Sequence, residues 1–235
     1  MMRTIQSTID AIFIGQARAF GPNGEVSAIQ KQQVWDAVSV TTSGLQGDEQ
    51  GDKLYHGGPD KAVHHYPSEH YAIWRAQFGD DAASRFCPGG FGENISTSGW
   101  TEHKVCIGDV FMLGTAILQV TQARQPCWKL NLRFENHRMA SIVQNSLRTG
   151  WYYRVLQAGS VAPGDSLRLL DRTQPDWSLA RLLHHLYIDT MNAQAMQAMS
   201  ELEELTPSWK KIAQDRLRNG SVEDWQRRLQ TPAIF

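Results

Sequence analysis

The strongest constraint on this chain is the way its first 171 residues are cut into short β-type runs by glycine. Residues 11–14, 38–42, 105–107, 110–113, 116–121, 151–156 and 167–170 each gather β-branched, aromatic or aliphatic side chains, which sit well on a pleated surface. Between them fall turn signals: Gly47-Asp48, Gly51-Asp52, Gly108-Asp109, Gly164-Asp165 and Gly114-Thr115. The stretches VCIGDV at 105–110 and VAPGDS at 161–166 share one rhythm of turn then strand, as repeated hairpin chemistry would give. Many short strands with few helices favour a closed or nearly closed β-barrel.

One helix interrupts this region. Pro67 fits its first position, Tyr71, Trp74 and Phe78 share a face, and Gly79 is suited to end it. Residues 136–145 can form another. After Arg172-Thr-Gln-Pro175 the pattern turns helical. Ser178 can cap a helix over 179–189 that carries Leu182, Leu183, Leu186 and Tyr187 on one face. Asn192 can open a second over 193–202, with Ala195, Met196 and Met199 as its stripe. Thr206-Pro207 starts a third, with Trp209, Ile212 and Leu217 inward and Asn219-Gly220 as its stop. The chain therefore reads as mainly β: a barrel domain over 1–171, then a small all-α bundle over 172–235 that must pack on the barrel or a partner.

Lys and Arg total 23 against 24 Asp and Glu, so no bulk field draws in nucleic acid. An anionic ligand would have to be held by a few placed cations. The N-terminus has no apolar segment behind Arg3, which argues against a secretory leader. The apolar stretch 110–120 is broken by Gly114, Thr115 and Gln119 and is too short to span a bilayer. Cys87, Cys106 and Cys127 are odd in number and hold no CxxC pair, which argues against a disulfide framework and a structural zinc site. A cytoplasmic, reducing compartment is the expectation, with no membrane and no nucleic acid as partners.

Three segments can carry chemistry. In Arg124-Gln-Pro-Cys-Trp-Lys129, Pro126 stiffens the turn after a strand and two cations flank Cys127, favouring its thiolate. A thiolate is both a soft metal ligand and a nucleophile, and a buried inert cysteine held by a proline turn is an equal reading of the segment alone. In His56-Gly-Gly-Pro-Asp-Lys61, Gly57 and Gly58 allow close backbone approach to an anion beside Lys61, though a plain turn explains them too. The adjacent His64 and His65 would point opposite ways on a strand, so one at most faces a site. In the glycine-rich run 89–94, Glu93 and Asn94 offer an acid and an amide, or simply shape a loop. HExxH, GxxxxGK[ST] and GxSxG are absent, as are an iron–sulfur cysteine set and a dinucleotide fingerprint.

The order of these segments carries a resemblance that none has alone. GLQGD at 44–48, HGGPDKAVHHY at 56–66, GEN at 92–94, IGD at 107–109, RQPCWKL at 124–130 and VAPGD at 161–165 resemble the successive motifs of the MOSC domain family. The likeness is to its YiiM-type branch, in which a "three-alpha" helical domain follows the barrel. It implies a MOSC-type β-barrel and a molybdenum cofactor (Mo-molybdopterin), with Cys127 as metal ligand and catalytic centre. It also implies anchoring of the pterin and phosphate by His56, Gly57, Gly58, Lys61, Arg124 and Lys129, with Glu93 and Asn94 as further contacts. The activity implied is reduction of N-hydroxylated compounds such as 6-hydroxylaminopurine, a detoxification of base analogues. An external electron-donor reductase would be the partner, since the chain has no electron-carrying motif of its own. A non-catalytic cofactor or sulfur carrier stays open, as does a metal-free cysteine enzyme with His56 or His64 as base. The Met196, Met199, Trp209 and Trp225 tail is a candidate docking or homodimer surface, with core packing the favoured use.

Overall fold

The computed structural model describes residues 6–51 and 57–233. Seven strands close a barrel: β1 (Gln6–Ile14), β2 (Val63–Pro67), β3 (Ile95–Thr97), β4 (Val110–Leu113), β5 (Ala116–Ala123), β6 (Trp151–Gln157) and β7 (Ser166–Asp171). Their order round the wall is β7–β4–β5–β6–β2–β3–β1, and β1 pairs back with β7 through Gln6–Thr8. All neighbours are antiparallel except β2 and β3, which run parallel. The segment Gln32–Val34 adds to the far end of β1, and Val38–Thr41 pairs with Gly159–Val161 beside the barrel.

The shared turn rhythm has a common cause. Asp109 accepts a hydrogen bond from the Cys106 N–H at 2.9 Å, and Asp165 accepts one from the Ala162 N–H at 2.8 Å. Each aspartate closes its turn on the amide three residues earlier and feeds a strand, and those strands, β4 and β7, pair with each other. The expected strand at 105–107 does not form. Its backbone is used by the start of the helical region instead: Leu179 N–H bonds the Val105 carbonyl and Ile107 N–H bonds the Trp177 carbonyl.

Pro67 ends β2 opposite Thr97 and does not open the helix. A proline suits a strand end because it lacks an N–H, and Ser68 supplies the next one to the Thr97 carbonyl. The helix α1 is Glu69–Phe78, closed by Gly79 at φ 80°. Two short helices follow the cysteine segment, α2 (Lys129–Arg133) and α3 (Met139–Ser146). Beyond β7 only helices occur among the described residues: α4 (Leu179–Tyr187), α5 (Ala193–Glu201), α6 (Pro207–Asn219) and α7 (Gln226–Leu229). Ser178 and Asn192 cap α4 and α5 with their side chains, accepting from Arg181 N–H and Ala195 N–H.

On α6 the buried stripe is Trp209, Ala213 and Arg216, while Leu217 is exposed. Spacing of four and three residues puts Arg216 on the inner face, where its guanidinium bonds the Leu186 and Thr190 carbonyls and Glu223. One hydrophobic core runs from Phe111 and Leu118 in the barrel to Leu182, Met196, Met199 and Trp209 in the helices. The Met-rich stripe is thus used in packing. A second, aromatic cluster of Tyr66, Tyr71, Trp74, Phe86, Phe91 and Phe134 lies outside the barrel wall. No helix among the described residues is long and apolar enough to cross a membrane.

Candidate functional site

Strand alternation sends every second side chain of β2, β5 and β6 outward. His65 faces inward, its ring nitrogens 2.9 Å from Tyr153 Oη and 2.9 Å from Thr97 Oγ1. Burial presses its pKa down to about 3, so the ring is neutral. His64 faces outward and lies opposite Tyr152, which in turn lies opposite Gln122. The His64 and Tyr152 rings stack with centroids 4.8 Å apart. This row of three cross-strand neighbours floors a cleft on the outside of the barrel.

Cys127 stands at the cleft wall where β5 gives way to α2. Arg124 extends the β5–β6 ladder by one bond, its N–H to the Gly150 carbonyl at 2.9 Å, and Pro126 then breaks the extended run. The Cys127 carbonyl accepts the Leu130 N–H at 2.9 Å, fixing the cysteine at the mouth of α2 with its side chain nearly buried. None of the three cysteines is in a disulfide. Gly150 has φ 69° and sits so close to β2 that a Cβ there would collide with the His65 carbonyl. Only glycine lets this turn hold Arg124 in place.

Around Cys127 the cleft collects Lys31, Lys61, Arg124 and Lys129. Arg124 Nη1 bonds the Phe91 carbonyl at 2.7 Å, and Lys129 Nζ bonds the Val26 carbonyl at 2.7 Å. Lys61 ends a 3₁₀ turn, Pro59–Lys61, held to the barrel by Thr121 Oγ1 on the Asp60 carbonyl at 2.6 Å. Lys31 pairs with Asp48, which also accepts the Gly15 N–H and the Asn94 side-chain amide, each at 2.8 Å. Burial pulls the Lys31 pKa down, and Asp48 opposes that. His64 is held far below its ordinary pKa by burial and then by Arg124, so it is a neutral ring. Its Nε2 is buried with no hydrogen-bond partner among the described residues.

Of the residues expected from sequence, Lys61, Asn94, Arg124, Cys127 and Lys129 meet in this cleft. Asn94 sits at its edge with its amide engaged, accepting the His64 N–H at 2.9 Å and donating to Asp48 and Phe13. Glu93 does not line the cleft. It is fully buried behind the loop, where its carboxylate accepts from Tyr71 Oη, from Gly89 N–H at 2.6 Å and from Phe91 N–H at 3.1 Å. Burial raises its pKa, and those three donors hold the loop that presents the Phe91 carbonyl to Arg124. Gly57 and Gly58 precede the Pro59–Lys61 turn and are not among the lining residues. His56 lies outside the described residues.

Sequence reasoning left out Lys31, Asp48, Tyr152 and Gln122, and did not commit His64 to the site. Alternation of β2 against β6 could have paired His64 with Tyr152. Lys31 and Asp48 come from loops, and no periodic signal marks them.

Among the described residues no group of three or more His, Cys, Asp or Glu could hold a metal ion. A metal here would have to arrive with most of its own ligands and take one protein thiolate. A barrel with this strand order, carrying one cysteine among cations on its outer wall, defines a class, and the comparisons name it. Residues 52–168 match the MOSC domain and residues 177–220 the YiiM-like 3-alpha helix domain. The chain belongs to the MOSC domain family, in its YiiM-type branch. It is 39% identical over 221 residues to Protein YiiM of Escherichia coli (strain K12), covering 93% of this chain and 96% of that one. The crystal structure of YiiM from Escherichia coli superposes with a TM-score of 0.82 at 32% identity, over 96% of this chain and 99% of the other. A protein of Gibberella moniliformis named Reductase is 34% identical over 87% of this chain, which corresponds to 36% of that longer protein.

Proposed function

We propose that this protein reduces N-hydroxylated compounds, 6-hydroxylaminopurine among them, to the corresponding amines with molybdenum cofactor held in the Cys127 cleft. The observation that carries the reading is the pairing of a single thiol with Lys31, Lys61, Arg124 and Lys129 in one cleft. A phosphorylated dithiolene cofactor brings negative charge and its own sulfur ligands, so it needs what this cleft has: cations and one soft donor. Cys127 would hold the metal. Lys61, Arg124 and Lys129 would hold phosphate and pterin. Glu93 and Asn94 act by placing the loop whose Phe91 carbonyl holds Arg124 and the strand that carries His64. The relative named Reductase supports reductive chemistry.

When bound, the cofactor supplies the redox chemistry. Reduction of an N–OH group to an amine takes two electrons and two protons and releases water. The chain's own part is binding and placement: cations compensate charge, and the neutral His64–Tyr152 stack gives a flat floor. Electrons come from a separate reductase, and detoxification of base analogues in the cytoplasm is the physiological setting of this reading.

Protein made in a host that synthesises the cofactor should carry near-stoichiometric molybdenum and pterin, and Cys127→Ser should lose the metal while keeping the fold. Wild-type protein from that host with no molybdenum would overturn the reading. Protein that binds molybdenum yet reduces no hydroxylaminopurine with any reductant would instead be a carrier.

A further inference from the structure

Beyond Cys127 the cleft widens into a groove that shares Gly51, Lys61, Cys127, Lys129 and Tyr152 with the inner part. One bank is Gly24–Val26, from the small hairpin that pairs Arg18–Ala19 with Val26–Ser27, and another is the C-terminal tail, with Glu223, Asp224, Trp225, Arg227, Arg228 and Pro232. Both banks lie outside the matched spans 52–168 and 177–220.

The tail is fastened at this place by its own bonds. Trp128 N–H bonds the Arg228 carbonyl at 2.7 Å, and the Arg228 guanidinium reaches the Pro126 carbonyl and, at 2.6 Å, Gln144. Asn131 Nδ2 bonds the Leu229 carbonyl at 2.9 Å, and Asn23 Nδ2 bonds the Ala233 carbonyl at 2.9 Å. At the other end Glu223 pairs with Arg216 of α6 and accepts from Trp225 Nε1 at 2.8 Å. The helical region thus returns to the cysteine segment on both sides of Cys127 and turns Trp225 toward the groove.

Two features of the groove point to what it takes. Trp128 and Trp225 are half-buried rings along its walls, and Tyr152 lies on its floor. Flat apolar faces bind flat rings well. Gln122 lines the same groove and is 2% exposed; its Nε2 bonds the Ala123 carbonyl at 3.2 Å, while its Oε1 is buried with no partner among the described residues. A buried acceptor left open is unfavourable until a ligand donates to it.

We propose that this outer groove is the substrate subsite, with Trp225 of the C-terminal tail as the wall that selects planar rings and Gln122 Oε1 as acceptor for an N–H or O–H on the ring edge. The proposal rests on the reductase reading for its chemistry, but the subsite itself is a matter of binding. Anionic cofactor would fill the inner end, where Lys31 and Arg124 join the shared Lys61 and Lys129, and a compound to be reduced would reach Cys127 through the outer groove.

The test uses cofactor-loaded full-length protein, wild type and the variants Trp225→Ala, Trp225→Phe and Gln122→Met. Steady-state reduction is measured with hydroxylaminopurine and with N-methylhydroxylamine, and binding of adenine, a planar ring with no N–OH, by equilibrium dialysis. Trp225→Ala and Gln122→Met should each lower the ratio of kcat/KM for the planar over the small compound at least tenfold and weaken adenine binding by a similar factor. Trp225→Phe should restore most of both, which a general loosening of the tail would not allow. An unchanged ratio together with unchanged adenine binding overturns the proposal. If wild type reduces neither compound but binds adenine in a Trp225-dependent way, the subsite stands and the reductase reading falls.

Discussion

Replacing Asp48 by asparagine removes one charge from a pair whose side chains are 6% and 7% exposed. Lys31 would then be a nearly buried ammonium with no carboxylate bonded to it, left only with the weaker pull of Glu93. Breaking a buried pair by removing one partner costs about 3–5 kcal/mol. The lower end, about 3 kcal/mol, applies here, because the cleft admits water and asparagine can still accept the Gly15 N–H. That lowers the melting temperature by roughly 6–12 °C for a chain of this size. The sign with pH follows from Lys31. Its folded-state pKa is already pulled down by burial and falls further without Asp48, whereas the unfolded lysine titrates near about 10.4. The unfolded chain therefore holds the proton to higher pH, and the deficit of the variant should shrink as pH rises from 7 toward 10. Urea unfolding at pH 7 and pH 9.5 measures both effects, and Lys31→Met in the same chain should return much of the loss. A deficit below about 1 kcal/mol at pH 7, or one that grows with pH, would refute the argument that the pair is buried and coupled.

Other outcomes follow from the same geometry. His65 has a folded pKa of about 3 against an unfolded value near 6.5, so its contribution to stability is full above pH 6.5 and is lost as pH falls toward 3. The slope approaches about 1.4 kcal/mol per pH unit, and acid unfolding of His65→Asn should show less of it. Gly150→Ala needs a strained φ and meets the His65 carbonyl, so soluble yield or melting temperature should fall sharply. Ser178→Ala and Asn192→Ala each remove a helix cap worth about 1 kcal/mol, visible as a loss of roughly 2–4 °C in thermal unfolding.

The barrel was legible because period-2 runs and Gly-Asp turns are local signals. The paired turns at 106–109 and 162–165 do what their shared sequence implies, since an aspartate reaching the amide three residues back needs no distant partner. The helices from 179 onward were legible for the same reason, through their caps and stripes. Where local reasoning went astray, tertiary pairing had taken the backbone. Residues 105–107 pair with the entry to α4, and Pro67 belongs to a strand because Thr97 lies beside it. Leu217 points out because Arg216 finds carbonyls to bind inside.

Sequence alone determined that Cys127 sits in a stiff turn between two cations and that the motifs follow the MOSC order. Both are properties of a few adjacent residues. Only the folded chain decided that Lys31 and Lys61 share the cleft with Cys127, while Glu93 stays behind the loop. It alone set His64, Tyr152 and Gln122 in one row, through the register of three strands distant in sequence. It alone brought the C-terminal tail back against the cysteine segment, about a hundred residues after the chain had left it. Contacts of that range depend on closing the barrel and packing the helices on it, and no run of neighbouring residues encodes them.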